Sequence, residues 1–196
     1  MKRLAITLLV GCTGSSPGGS PKDAALVEHD APTQHDAPTA GGGFVLTSPS
    51  LSENGTFVAA NTCDGANDSP AFAWDNAPLG TLAYALVLTD TTISLTHAVI
   101  YDIPESANGL PAALAKVYAP VAPAGTHQAL SISNMPGYSG PCPPQGQAAH
   151  VYEFALYALD AAALPGASMT STRAQLTPLI TQHMIAKTTL TGIYAR

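Results

Sequence analysis

Residues 140–152 have the sequence GPCPPQGQAAHVY, in which a proline-rich loop leads directly into an apolar strand. Proline restricts the backbone angle φ, so the loop is stiff at little further entropic cost. Side chains alternate across a strand, which places His150 and Tyr152 on the same face. A rigid loop beside an imidazole and a phenol is suited to holding a small anionic ligand.

The composition is that of one ordinary domain with a weakly charged surface. The chain has 196 residues, of which 46% are hydrophobic, and this is enough for a substantial core. Only 10% are charged, against roughly 25% in typical globular proteins. The net charge is −6, and the seven Lys and Arg residues are scattered. Because no basic stripe exists, nucleic acid is not expected as a partner.

Residues 1–12 predict an export signal. Two basic residues precede a short apolar run, which is far below the roughly 20 residues that a membrane span needs. The run ends in LVGC at residues 9–12, which resembles a bacterial lipobox. That resemblance implies that Cys12 is lipidated; an ordinary signal with a chance cysteine is the alternative. We expect a lipid-anchored protein of the cell envelope, on the periplasmic face of the outer membrane if the source is Gram-negative.

Residues 13–43 predict a disordered tether. They are rich in Gly, Ser, Pro, Ala and Asp, and the motif HDAPT occurs at both 29–33 and 35–39. Such a composition buries too little apolar surface to fold. The folded domain is therefore predicted to span residues 44–196.

The domain is predicted to be mainly β. Residues 83–89 are almost continuously apolar, as in a strand that is buried on both faces. Residues 151–159 form the strongest strand pattern, with Tyr152, Phe154 and Leu156 on one face. Further strands are predicted at 44–47, 56–60, 71–74, 97–103 and 190–194, with weaker candidates at 116–121 and 129–133.

One helix is predicted near the end of the chain. Thr172 and Gln175 have the spacing of a capping box. Pro178 interrupts the pattern that follows, which predicts a kinked helix, or two short ones, ending near Lys187. In an alternative interpretation Thr177 is the N-cap and Pro178 occupies the first helical position.

The cysteines allow one disulfide. If Cys12 is lipidated, Cys63 and Cys142 remain as an even pair in an oxidising compartment, which predicts a bond between them. Two buried free thiols are the alternative.

Several segments together resemble the bacterial branch of the phosphatidylethanolamine-binding proteins, a family that includes the Raf kinase inhibitor protein. The resemblance covers residues 44–196. It is carried by NTCDGANDSP at 61–70, Trp74, Pro78, the GPCPPxG and HxY segments quoted above, YALD at 157–160 and GIYAR at 192–196. It implies a large antiparallel sheet packed on a smaller sheet, with a C-terminal helix.

The resemblance also implies a binding site, which in this family is a small anion pocket at one end of the strands. Its members would be Asp90, His97, His150 and Tyr152, beside the wall that contains Pro141. Imidazole and phenol groups can donate hydrogen bonds to an anion. An Asp beside a His holds its tautomer and favours its protonated form, so we expect binding to strengthen as the pH falls below about 6.5.

The chain departs from the family pattern in one wall of that pocket. Residues 90–94 are DTTIS where the family has Asp-Pro-Asp-x-Pro, and Ala98 replaces a Trp. We therefore expect a more open wall, and the ligand class stays undecided.

The favoured function is a binding protein, not an enzyme, with no cofactor. Its partner would be a small anion, namely phosphate, carboxylate or a phospholipid head group, and it would meet a membrane only through its lipid anchor. By analogy alone, an inhibitor or interaction protein acting on a protease or kinase is the alternative.

Two other functions fit the residues less well. A hydrolase could use His97 or His150 as its base, but Ser139 does not lie in a Gly-x-Ser-x-Gly elbow. A metal set of His97, His150 and Asp90 is less favoured because a Tyr and a proline wall suit anion capture better.

Overall fold

The computed structural model describes residues 42–196. The predicted signal peptide with Cys12, and the predicted tether up to residue 41, lie outside the described residues. The described part forms nine strands and one α-helix: β1 (Val45–Thr47), β2 (Gly55–Thr56), β3 (Phe72–Asp75), β4 (Ala83–Asp90), β5 (Leu95–Pro104), β6 (Gly109–Leu110), β7 (His127–Gln128), β8 (His150–Leu159), α1 (Arg173–Gln182) and β9 (Met184–Tyr194).

The strands form two sheets. The small sheet has the order β1-β3-β6, and the large sheet has the order β2-β9-β8-β4-β5-β7. All pairs are antiparallel except β2 with β9, which is a short parallel pair at one edge. The predicted architecture of a large sheet packed on a smaller one, with a C-terminal helix, is confirmed.

The large sheet is covered on both faces. On one face Phe72 of the small sheet packs against Phe154 of β8, with ring centroids 4.7 Å apart. On the other face Leu176 and Ile180 of α1 belong to a second cluster of buried side chains. Seven of the eight β4 residues are buried as a result, which explains the apolar run of this strand.

The predicted strand at 56–60 is wrong beyond its first residue. β2 ends at Thr56, and the chain then makes a 3₁₀ turn over Ala59–Asn61. This turn lets the side-chain amide of Asn61 donate to the carbonyl of Asp68, which closes the following loop.

The weaker strand candidates at 116–121 and 129–133 are also wrong. The edge strand of the large sheet is instead β7, next to β5. The side-chain amide of Gln128 donates to the carbonyls of Ala115 and Val117, at 2.7 and 2.8 Å. A side chain thus satisfies the carbonyl groups that a neighbouring strand would otherwise have bonded.

The capping box of α1 is present. The Thr172 hydroxyl accepts from the amide of Gln175, and the Gln175 side chain accepts from the amide of Thr172. Thr172 is therefore the N-cap, and the alternative with Thr177 in that role is wrong. Pro178 lies inside a single helix, on an exposed position.

The predicted helix end near Lys187 is wrong, because α1 ends at Gln182. Met184 already pairs with Leu159, and Lys187 pairs with Tyr157. The last strand is consequently longer than the predicted 190–194. Pairing with the long strand β8 outweighs helix propensity in this stretch.

A disulfide joins Cys63 to Cys142, with their Cα atoms 5.4 Å apart and a sequence separation of 79. The amide of Cys63 also donates to the carbonyl of Pro141, at 3.1 Å. The loop after the 3₁₀ turn is thereby attached to the proline-rich loop.

We expect the double variant Cys63→Ser, Cys142→Ser to lose about 2–5 kcal/mol of unfolding free energy, since its unfolded chain regains the entropy of a long closed loop. Urea denaturation with and without dithiothreitol measures this. The reductant should destabilise the wild type by a similar amount and leave the double variant unchanged. A wild type indifferent to reductant would contradict the prediction.

Candidate functional site

Three neighbouring strands bring the predicted site residues to one end of the large sheet. Asp90, the last residue of β4, pairs directly with Tyr152 of β8. His150 lies two residues before Tyr152, and its ring is 6.3 Å from the Tyr152 ring. These side chains share the face that packs toward the small sheet, as the alternation along a strand requires.

A β-bulge adds His97 to this group. Leu88 pairs with Ala98 and Thr89 pairs with Thr96, so His97 is an extra residue without a partner on β4. Bulges redirect side chains. The His97 ring meets the Tyr152 ring edge to face, with centroids 5.5 Å apart.

Asp90 and His150 form a buried pair. The Nδ1 atom of His150 lies 2.6 Å from Oδ2 of Asp90, and the other carboxylate oxygen accepts from the amide of Thr92 at 3.0 Å. Asp90 is 1% exposed and His150 is 5% exposed. The carboxylate therefore holds the imidazole in one orientation, with Nδ1 occupied by the Asp and Nε2 directed elsewhere.

His97 is held in a different way. Its Nδ1 atom lies 3.1 Å from the carbonyl of Ser139, so the ring donates there. Burial lowers the pKa of His97 below its usual 6.5, and the Ser139 carbonyl, the charge of Asp90 and the Gly140 carbonyl offset this only in part. His97 is thus neutral at pH 7, and it gains its charge at a lower pH than the sequence led us to expect.

Tyr152 contributes a hydroxyl group without a partner. Its side chain is fully buried, and no group among residues 42–196 makes a hydrogen bond of acceptable geometry with this hydroxyl. Burial, then the nearby negative charge of Asp90 and the hydrogen-bonding proximity of its carboxylate, raise the pKa of Tyr152, while the amide of Cys142 acts in the opposite direction. The hydroxyl stays protonated, and leaving such a group unsatisfied costs about 1–3 kcal/mol.

The proline-rich loop forms the wall beside Tyr152, and it is fastened to the loop at 61–67. The Gly140 amide donates to the side chain of Asn67 at 2.8 Å, and the Tyr138 hydroxyl donates to the carbonyl of Asn61 at 2.7 Å. A Cβ atom on Gly140 would lie only 2.2 Å from that Asn61 carbonyl, so the position requires glycine. Pro141 is buried in this wall.

The four predicted site residues are covered in this structure. Asp90, His97, His150 and Tyr152 are each at most 5% exposed. The exposed side chain of Gln147 lies over the group, with Oε1 3.4 Å from Nε2 of His150. The contacts of Asn61, Asn67 and Tyr138 do not follow from sequence pattern because they join segments that are distant in the chain, whereas the contact of Gln147 with His150 depends on the conformation of the short loop between them.

Other features of the described residues lie apart from this group. His127 and His183 each pair with an Asp of their own, Asp102 and Asp160. Within residues 42–196 no three His, Cys, Asp or Glu side chains are grouped as metal ligands. No helix of that part has the length and hydrophobicity needed to cross a membrane.

Comparison with known proteins gives one consistent result. The family profile described as "Phosphatidylethanolamine-binding protein" matches residues 47–195. A UPF0098 protein of Methanothermobacter thermautotrophicus is 34% identical over 156 residues, which cover 77% of this chain and 98% of the relative. The Mycobacterium tuberculosis protein named "Putative lipoprotein LppC" is 27% identical over 163 residues, covering 81% of this chain and 77% of the relative.

The fold has a counterpart among solved structures. The crystal structure of Escherichia coli YbcL, described as a new member of the mammalian PEBP family, matches with a TM-score of 0.73 and 24% sequence identity. The match covers 79% of this chain and 99% of YbcL. This likeness shows the arrangement of the two sheets.

We expect the buried, neutral His97 to make the fold sensitive to acid. The unfolded chain takes up a proton on this residue near pH 6.5, whereas the folded chain resists protonation until a lower pH. The free energy of unfolding therefore contains the full contribution of the neutral His97 ring above pH 6.5. It decreases as the pH falls from 6.5 toward the pKa of His97 in the folded protein. Urea denaturation between pH 7 and pH 5 should show a smaller loss for His97→Gln than for the wild type. Equal losses would contradict this.

Proposed function

This chain belongs to the phosphatidylethanolamine-binding protein family, and from that premise we propose that it is a binding protein, not an enzyme, whose Asp90, His97, His150 and Tyr152 cluster takes a small anion. Phosphate, carboxylate and the phosphorylated head group of a lipid share the chemistry that this cluster would recognise. The family is named for its binding of a phospholipid, which supports a ligand of this class.

The observation that carries the proposal is the unpartnered hydroxyl of Tyr152. Buried polar groups in folded proteins nearly always have partners, and exceptions call for an explanation. The raised pKa of this phenol keeps its proton in place, and the nearby Asp90 carboxylate does not accept it with good geometry, so the hydroxyl is a donor without a well-placed acceptor. An anionic oxygen of a ligand placed there would form this missing hydrogen bond as a charge-assisted one.

The charges around the hydroxyl set the conditions for an anion. The Asp90 carboxylate is already engaged by His150 and by the amide of Thr92. The Nε2 atom of His150 lies at the outer edge of the cluster, beside Gln147. Neutral His97 adds no positive charge at pH 7, since burial lowers its pKa. Affinity should therefore increase on acidification.

Entry to the site requires Gln147 to move. Its loop is exposed, and it is fastened by the Gly146 amide, which donates to the carbonyl of Arg196 at 3.1 Å. Gly146 has a φ of +77°, a conformation that glycine adopts without strain. Displacing the Gln147 side chain would free Nε2 of His150 for the ligand.

The place of action in this proposal is the cell envelope, with Cys12 as the lipid anchor. The lipobox-like sequence and a relative whose printed name contains the word lipoprotein support it. When the full chain is expressed in a bacterial host, it should sediment with the membranes. Cys12→Ser should release it to the soluble envelope fraction; a membrane-bound Cys12→Ser protein would contradict the anchor.

Replacing Tyr152 by Phe tests the anion site, because it should weaken anion binding without lowering the stability of the fold. Tyr152→Phe removes a buried hydroxyl that has no partner, so the unfolding free energy should stay equal or rise by about 1 kcal/mol. Calorimetric titration with inorganic phosphate, phosphoethanolamine and acetate should nevertheless show at least a tenfold weaker affinity than for the wild type, because a charge-assisted hydrogen bond contributes about 1.5–3 kcal/mol.

Tyr101→Phe is the matched control. It removes another buried phenol hydroxyl, which donates to the carbonyl of Ser168 on the other face of the large sheet. This variant should lose stability and keep the affinity for the anion. Equal heats of binding for the wild type and Tyr152→Phe would exclude the proposed site. The comparison of phosphoethanolamine with inorganic phosphate separates a lipid head group from the free anion as the preferred ligand.

A further inference from the structure

A second cleft lies at the opposite end of the large sheet. Its volume is about 580 Å³, and its lining includes Asp102 and Pro104 at the far end of β5 and His127 of β7. Asp102 follows His97 by five residues along β5, or roughly 16 Å of extended strand. The cleft is therefore distinct from the cluster of Asp90, His97, His150 and Tyr152 (the Tyr152 cluster).

The backbone at Asp102 has an uncommon conformation. Tyr84 pairs with Ile103 and Leu86 with Ile100, so Tyr101 and Asp102 oppose a single residue of β4. Asp102 has a φ of +53°, in the left-handed region, which Asp tolerates better than most residues but which still carries strain. This second bulge of β5 turns the Asp102 side chain toward β7.

The carboxylate of Asp102 positions an imidazole. One of its oxygens accepts from the amide of Leu164 at 2.8 Å, and the other lies 3.0 Å from Nδ1 of His127. The His127 ring stacks on Tyr118, with centroids 4.7 Å apart, and also packs against Tyr101 at 5.6 Å. Contacts on several sides thus fix the orientation of this ring.

The other nitrogen of His127 is available to a ligand. With Nδ1 donating to Asp102, the neutral ring carries its lone pair on Nε2, which can accept a hydrogen bond. No group in the described part of the chain bonds to this atom, and the His127 side chain is 30% exposed.

The rest of the lining favours a cationic ligand. Glu105, an exposed carboxylate, borders the cleft together with Ser106, whereas no Lys or Arg does so among residues 42–196. Leu82 and Ala162 supply apolar walls. A carboxylate, an imidazole acceptor and apolar side chains that line one cleft match a ligand with an ammonium group, a hydroxyl group and a short methylene chain between them.

We propose that this cleft is a binding site for small amino alcohols. The ammonium group pairs with Glu105, the hydroxyl group donates to Nε2 of His127, and the methylene groups lie against Leu82 and Ala162. The ion pair with Glu105 makes the cleft prefer amino alcohols to uncharged alcohols, and the fixed imidazole of His127 orients the bound ligand.

The test compares two probes of equal length, 5-amino-1-pentanol and 1,5-pentanediol, by NMR titration of the full-length protein. The amino alcohol should shift the amide signals of Gly125 and His127, and it should bind about two- to fivefold more tightly than the diol, the range expected for one partly exposed ion pair. Absence of shifts at these amides, or equal affinity for the two probes, would overturn the proposal.

Two variants that each remove one carboxylate charge show whether Glu105 causes the preference for the amino alcohol over the diol. Glu105 is exposed, so Glu105→Gln should fold normally and should bind the two probes equally well. Asp75→Asn removes the same charge from an exposed position outside the cleft and should keep the wild-type preference. If Glu105→Gln keeps the preference, or Asp75→Asn loses it, the assignment to Glu105 fails.

Discussion

The antiparallel pairing of β8 with β4 is the constraint on which the rest of the structure depends. The two strands pair from Tyr152 opposite Asp90 to Leu159 opposite Ala83 without a register shift. This ladder forms the centre of the large sheet and carries the side chains that fill both hydrophobic clusters. A shift by one residue would turn Tyr152 and Phe154 to the other face, away from the small sheet, so core packing and site geometry enforce the same register.

Burial determines the chemistry of the Tyr152 cluster more than formal charge does. The one carboxylate in it is paired with an imidazole and a backbone amide, and the second imidazole donates to a backbone carbonyl. Because the surroundings are dry, the neutral forms of His97 and Tyr152 are favoured, which is the direction of both pKa shifts. The cluster thus contains mostly satisfied groups around one unsatisfied donor. That imbalance, and not a strong positive field, is what supports the proposed anion site.

The same pair of residue types occurs at both ends of the large sheet with different surroundings. Asp90 and His150 have side chains that are 2% and 7% exposed, whereas those of Asp102 and His127 are 10% and 30% exposed. In the buried pair the free ring nitrogen lies beneath Gln147, and in the exposed pair it borders an open cleft. A bulge in β5 lies near each pair: one brings His97 to the Tyr152 cluster, and the other turns Asp102 toward His127.

The sequence alone was sufficient for the features that depend on local pattern. The apolar run of β4, the alternation in β8 and the capping box at Thr172 predicted these elements because burial and capping act over a few neighbouring residues. The segments that resemble the family indicated the two-sheet fold and the side chains that the structure gathers around Tyr152. The tertiary structure alone decided that a bulge directs His97 into the cluster, that the Tyr152 hydroxyl lacks a partner and that residues 184–187 join β9 instead of a helix. Each of these outcomes depends on which distant strand or loop supplies hydrogen-bond partners, and a one-dimensional pattern does not contain that information.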